Sequence, residues 1–272
     1  MTEMFHYSFM LRALGAAILV GGLCSTIGVY IVLKRLSFIG VGISHSAFGG
    51  VSLGFLLGLN PVAIALPFAV AVAMTIRVVS RKGRVSEDVA IGILFATAMA
   101  LGVIFVTLAP ADNVDLFGYL FGSILAVSAS DLWLIGILSF AVIGTVILFF
   151  KELFFLSFDE ELAKVSGLPV EKLYYLLLCL IAVSVVISIK LVGIVLVSAL
   201  LVVPAATAFQ LTRSFKPMML LSALLGMVSG VVGLIFSYEF DLPSGATIVL
   251  TATAIFILSL ILSPRARGIR FR

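Results

Sequence analysis

Two places in this 272-residue chain combine residue types and spacings that could do chemistry. The first is His45, the one ionisable side chain set well inside an apolar run. Neutral imidazole is a borderline ligand that suits zinc and iron(II) and, less tightly, manganese. Gly42, Gly49 and Ser52 fall at i−3, i+4 and i+7 from it and share its face of a helix. A face of small residues admits close helix packing and a wet pore alike, so a ligand role and a packing role both stay open. The second place is residues 158–170, Phe-Asp-Glu-Glu-Leu-Ala-Lys-Val-Ser-Gly-Leu-Pro-Val, a polar stretch between long apolar runs. Asp159 can cap the first amides of a helix, and Glu160 and Glu161 favour its positive start. Gly167 suits a left-handed stop, and Pro169 prevents continuation. Only about two turns fit, and a helix that short is marginal alone in water, so a bound partner is the expected reason for it.

The remaining reactive residue types carry weaker signals. Cys24 and Cys179 lie on different runs without paired spacing and read as small buried apolar residues. Glu87 and Asp88 open an apolar run, where stabilisation of a helix start is the first explanation and a cation exit site the second. The chain contains no Gly-x-x-x-x-Gly-Lys-Ser/Thr phosphate loop, so it does not hydrolyse ATP by that route. A single interior His is too few ligands for an intramembrane metalloenzyme, and no catalytic residue is assigned.

The elements that must position these residues follow from composition: 62% of residues are hydrophobic and only 11% charged. Such a chain is an all-α polytopic membrane protein, and no stretch is long enough for a soluble domain, so residues 1–272 are expected to form one transmembrane unit. About nine runs are long enough to cross a bilayer: 11–33, 38–59, 61–79, 89–109, 132–150, 173–189, 192–211, 218–238 and 245–262. A tenth apolar piece, 116–127, is too short to cross and reads as a half-helix, interfacial or re-entrant. The N-terminus lacks a positive region and a small-residue cleavage site, so no removable signal peptide is expected.

Lysine and arginine set the orientation. Residues 34–35, 77–84, 151–172, 213–216 and 265–272 hold nearly all the cations, leaving Arg12 and Lys190 on the other side. The N-terminus is then outside, the C-terminus cytoplasmic, the acidic loops 112–115 and 239–241 outside, and residues 158–170 in the cytoplasm. Four spans lie on either side of the fifth and begin on opposite faces, the geometry of an inverted repeat. Basic cytoplasmic loops explain the net charge of +4 without nucleic acid. The span interiors hold no Asp, Glu or Lys of the kind an ion-coupled carrier uses, which counts against a secondary transporter. Energy must then come from another subunit touching the cytoplasmic helix.

Several segments, in order, carry a resemblance to a known family: Arg35-Leu-Ser-Phe-Ile-Gly with Ser44-His45-Ser46 and Gly49-Gly50; Glu87-Asp-Val-Ala-Ile-Gly-Ile; Leu120-Phe-Gly-Ser-Ile-Leu; Phe158-Asp-Glu-Glu-Leu-Ala with Gly167-Leu-Pro; Val192-Gly with Ala199-Leu-Leu-Val-Val-Pro-Ala-Ala-Thr-Ala; and Leu242-Pro-Ser-Gly-Ala-Thr-Ile-Val. Over nearly its full length the chain resembles the permease subunits of metal-importing ABC transporters. That resemblance implies a fold similar to the vitamin B12 and siderophore importer permeases, less their first span. It implies a lipid-embedded homodimer in a bacterial or archaeal cell membrane, a cytoplasmic ABC ATPase that uses the ATP, and an extracytoplasmic metal-binding protein. The cargo this resemblance implies is a divalent ion, zinc first, with manganese or iron(II) next, and no cofactor is expected to be bound by this chain. A permease for a metal chelate such as a siderophore or cobalamin is the nearest rival. Residues 154–172 would be the coupling segment, with Asp159, Glu160, Glu161, Leu162, Ala163 and Gly167 at the ATPase and His45 on the metal path. One position departs from the family, which commonly carries Asp four residues before this His. Here that position is Val41, which cannot ligate.

Overall fold

The structure, a computed structural model, describes residues 6–110, 116–122, 127–194 and 196–263. The expected acidic loop at 112–115, residues 123–126 of the expected half-helix and the basic tail at 265–272 lie outside the described residues. The secondary structure described is helical throughout: α1 Ser8–Leu33, α2 Ser37–Leu56, α3 Pro61–Gly83, α4 Glu87–Leu108, α5 Leu116–Phe121, α6 Ala129–Leu148, α7 Phe150–Phe158, α8 Glu160–Val165, α9 Val170–Val192, α10 Val197–Leu211, α11 Phe215–Phe240 and α12 Ser244–Leu262.

The helices start where their sequences supply caps. The Asn60 side chain accepts from the amides of Val62 and Ala63 at the head of α3, and Pro61 follows at a position that needs no donor. Ser128 and Asp131 form a reciprocal capping box on α6. Packing then sorts the helices by burial. Leu23, Cys24, Ile27 and Tyr30 of α1 are fully enclosed, as are Ile39 and Ile43 of α2 and Leu178 and Ile181 of α9, so these three helices form the core. By contrast Trp133, Phe140 and Leu148 of α6 are about three-quarters exposed. In a chain this apolar, such faces are covered by lipid or by another subunit.

Eight helices are long and apolar enough to cross a membrane, and they match eight of the nine expected runs. The remaining one, the seventh in order, expected over 192–211, is shorter. The helix α10 has 15 residues, about 22 Å at the rise of an α-helix against a hydrocarbon core of about 30 Å. The cause is Gly193, which ends α9 with φ 86° and ψ 160°, a conformation essentially closed to residues with a Cβ. Beyond it the Ile194 amide donates to the carbonyl of Tyr119 in α5 at 3.0 Å instead of continuing a helix. A Cβ on Gly193 would stand 2.4 Å from the carbonyl carbon of Phe121. Within the piece read as a half-helix, Leu116–Phe121 form a six-residue helix docked against the broken end of α9, where protein satisfies backbone that lipid could not.

Candidate functional site

His45 stands at the seam between α2 and α4, which run in the same direction: Gly42 meets Ile91, His45 meets Phe95 and Gly49 meets Ala98. The small face of α2 is a packing face. A Cβ on Gly42 would lie 2.3 Å from Ile91 Cγ2, and one on Gly49 2.7 Å from the Ala98 carbonyl oxygen. The imidazole itself is half-buried, its ring edge-on to Phe95 with centroids 5.3 Å apart. Its Nδ1 lies 2.9 Å from the carbonyl oxygen of Val41. A carbonyl only accepts, so Nδ1 carries the proton, and in the neutral ring Nε2 keeps the lone pair a metal would need. Along the same seam Phe38, Val41, Asp88, Ile91, Gly92 and Phe95 line a groove of about 390 Å³, whose Phe95 wall packs against the imidazole. Among the described residues no three His, Cys, Asp or Glu side chains come together so as to hold a metal ion. One imidazole is what this seam has to offer as a metal ligand.

The second site is built on α8. Asp159 Oδ1 accepts from the amides of Glu161 and Leu162 at 3.0 and 2.9 Å. Gly167, at φ 80°, closes the helix in the left-handed region, and the Leu168 amide returns to the carbonyl of Ala163 at 3.1 Å. Ala163 points inward and is fully buried. Leu162 and Val165, three residues apart on the outer face, are 52% and 86% exposed.

Glu160 does not face out with them. Its Oε1 accepts from Arg77 Nη2 at 2.7 Å and its Oε2 lies 3.5 Å from Lys34 Nζ. Burial raises the Glu160 carboxyl, but Lys34 and Arg77 outweigh that and hold it below the usual carboxylate range. The Arg77 side chain is only 9% exposed, and charges gather around it from five elements. Its Nη1 donates to Glu87 of α4 at 2.7 Å, and its Nη2 also reaches Glu171 of α9 at 3.1 Å. The guanidinium lies over the Tyr174 ring at 3.8 Å, and the Tyr174 hydroxyl donates to Glu87. Lys34, at the end of α1, also donates to the Leu156 carbonyl at 3.1 Å, and Arg81 pairs with Glu171. The cluster balances three cations against three carboxylates, the arrangement that makes a buried guanidinium tolerable.

These two sites sit in a chain whose relatives are known. A family model described as the ABC 3 transport family matches residues 6–263. The chain belongs to the ABC 3 transport family. It is 40% identical over 268 residues, 98% of its own length and 95% of the relative's, to the protein named manganese transport system membrane protein MntC of Listeria monocytogenes. It is 36% identical, over 96% of its own length and 87% of the relative's, to the chelated iron transport system membrane protein YfeD of Yersinia pestis. Among solved structures, PsaBC from Streptococcus pneumoniae in complex with Fab matches with a TM-score of 0.89 at 37% identity, covering 98% of this chain and 97% of that one. The resemblance drawn from the motifs therefore holds, and the chain is a multi-pass, non-catalytic ABC permease subunit, with ATP hydrolysis in a separate subunit.

The residues singled out from this ABC 3 permease's sequence fall into two groups, not one. His45 belongs to the α2–α4 seam, while Asp159, Glu161, Leu162 and Gly167 build or expose the outer face of α8, with Ala163 and Glu160 turned inward. Cys24 is fully buried against the Ser188 hydroxyl at 3.0 Å, and Cys179 is half-buried; both are free thiols. Arg77 is the functional candidate that sequence reasoning passed over, because it was counted with the solvated cations of 77–84. The available signal was its place four residues before Arg81, which sets both on one face of the last turns of α3.

Proposed function

We propose that this ABC 3 permease is the translocation subunit of an ATP-driven manganese importer. The observation that carries the reading is the likeness along nearly the whole chain to a permease named for manganese. The preference for zinc drawn from the sequence rested on no residue that separates the ions. Chelated iron, which the Yersinia relative's name brings, stands second.

In this reading α8 lies in the cytoplasm, with the N-terminus outside and the C-terminus inside, as the distribution of Lys and Arg requires. The cytoplasmic ATPase seats on the exposed Leu162 and Val165 of α8, an apolar pair left open among the described residues. Residues 154–172 form the coupling segment, and an extracytoplasmic metal-binding protein delivers the ion to the opposite end. A second copy of the chain completes the path against exposed apolar faces such as those of α4 and α12. The ion then passes His45, whose Nε2 offers one weak ligand, and weak binding favours conduction. Uptake of radiolabelled manganese by cells carrying the whole transporter, competed with unlabelled zinc and iron(II), tests the cargo. Manganese should compete at the lowest concentration; zinc competing at a lower one would overturn the assignment.

A further inference from the structure

The helix α8 is weakly held by packing. It rests chiefly on its chain neighbours α7 and α9, and Ala163 is its one buried side chain. Its attachment to α1 and α3 is electrostatic and passes through a single residue, Glu160, which holds Lys34 with one oxygen and Arg77 with the other. Arg77 has two further anchors that do not depend on α8: Glu87, the first residue of α4, and Glu171, the second residue of α9. If α8 shifts with the Glu160–Arg77 pair intact, the guanidinium moves with it and, through its bond to Glu87, pulls on the first turn of α4.

The relay ends at the metal path. Asp88, next to Glu87, lines the groove on the α2–α4 seam, and two turns further along α4 Phe95, which also lines it, packs against the imidazole of His45. Because Gly42 admits the Ile91 side chain and Gly49 the Ala98 backbone, α4 packs tightly on α2, and a pull on its first turn cannot be absorbed locally and must shift the seam. We propose that Glu160–Arg77–Glu87 is a charge latch that transmits displacement of α8 to α4 and so opens or closes the groove at His45. Glu160 and Arg77 are then positioning residues that touch neither nucleotide nor metal. The proposal rests on the reading of α8 as the ATPase-docking helix.

The test uses the full permease–ATPase complex in proteoliposomes, measuring metal transported per ATP hydrolysed and ATPase captured on purification. Glu160→Gln removes the charge and keeps the shape, and it leaves the outer face of α8 intact. We expect the ATPase to be captured as before and to hydrolyse ATP. The transport-to-hydrolysis ratio should fall at least about fivefold, the lower end of usual coupling between sites. A loss of structure would lower transport and hydrolysis together and leave the ratio alone. Lys82→Gln, an exposed charge outside the cluster, controls for net charge and should leave the ratio unchanged. Glu87→Gln, at the far end of the relay, should reproduce the fall and serves if Glu160→Gln does not assemble. An unchanged ratio in Glu160→Gln, or loss of ATPase capture, overturns the latch. The docking reading fails separately, if Glu161→Gly together with Leu162→Gly leaves capture intact.

Discussion

Replacing Val41 by Asp should create an ion-retaining site beside His45. Position 41 is one helical turn from His45, about 6 Å along the axis, and its side chain already lines the groove on the α2–α4 seam. The Val41 carbonyl that fixes the His45 tautomer belongs to the backbone, so Val41→Asp leaves Nε2 available. A divalent ion and a carboxylate about 4 Å apart attract by roughly 8 kcal/mol at an effective dielectric near 20, twice the unit-charge figure. Desolvating the carboxylate returns several kcal/mol of that. What is left is on the order of 3 kcal/mol, or about a hundredfold in Kd. Equilibrium manganese binding to the purified permease in detergent near pH 7 measures it in both forms. The native protein should bind weakly, and the variant about a hundredfold more tightly with slower release. If the native permease already retains a stoichiometric ion, or if the variant binds no better, other ligands exist and the account of His45 as a lone imidazole is wrong.

Two further outcomes follow from the same geometry. His45→Ala should slow manganese uptake without reducing the amount of assembled permease in the membrane, and full uptake across all metal concentrations would return His45 to a packing role. Gly193→Ala forces a Cβ into a backbone conformation reserved for glycine and against Phe121, so it should cost about 3 kcal/mol and lower the unfolding midpoint in detergent; Gly144→Ala, with open space around it, should not.

Much of this fold was legible because hydropathy reports directly which stretches leave water. The spans, the capped helix at 160–165 and its glycine stop are local in sequence, and Asp159 and Gly167 do what their chemistry suggests. The shortened seventh span was not legible: that run stays apolar past Gly193, and only the backbone angle and the docked α5 reveal the break. The small face of α2 was ambiguous for a similar reason, since close packing and a wet pore ask for the same residues until Ile91 and Ala98 are seen against it. Arg77 was hidden by distance. Its carboxylate partners lie 10, 83 and 94 residues away, and a rule that assigns cations to solvated loops cannot see a guanidinium buried among three helix ends.

In the proposed function α8 carries the drive from an ATPase to a metal path through this bundle. The direct measurement is manganese-dependent ATP hydrolysis and uptake by the reconstituted complex, native and with both Glu161→Gly and Leu162→Gly. The native complex should show hydrolysis stimulated by metal-loaded delivery protein together with uptake. The double variant should insert normally yet lose ATPase capture and uptake. Uptake that persists in the double variant, with the ATPase still bound, would contradict the account.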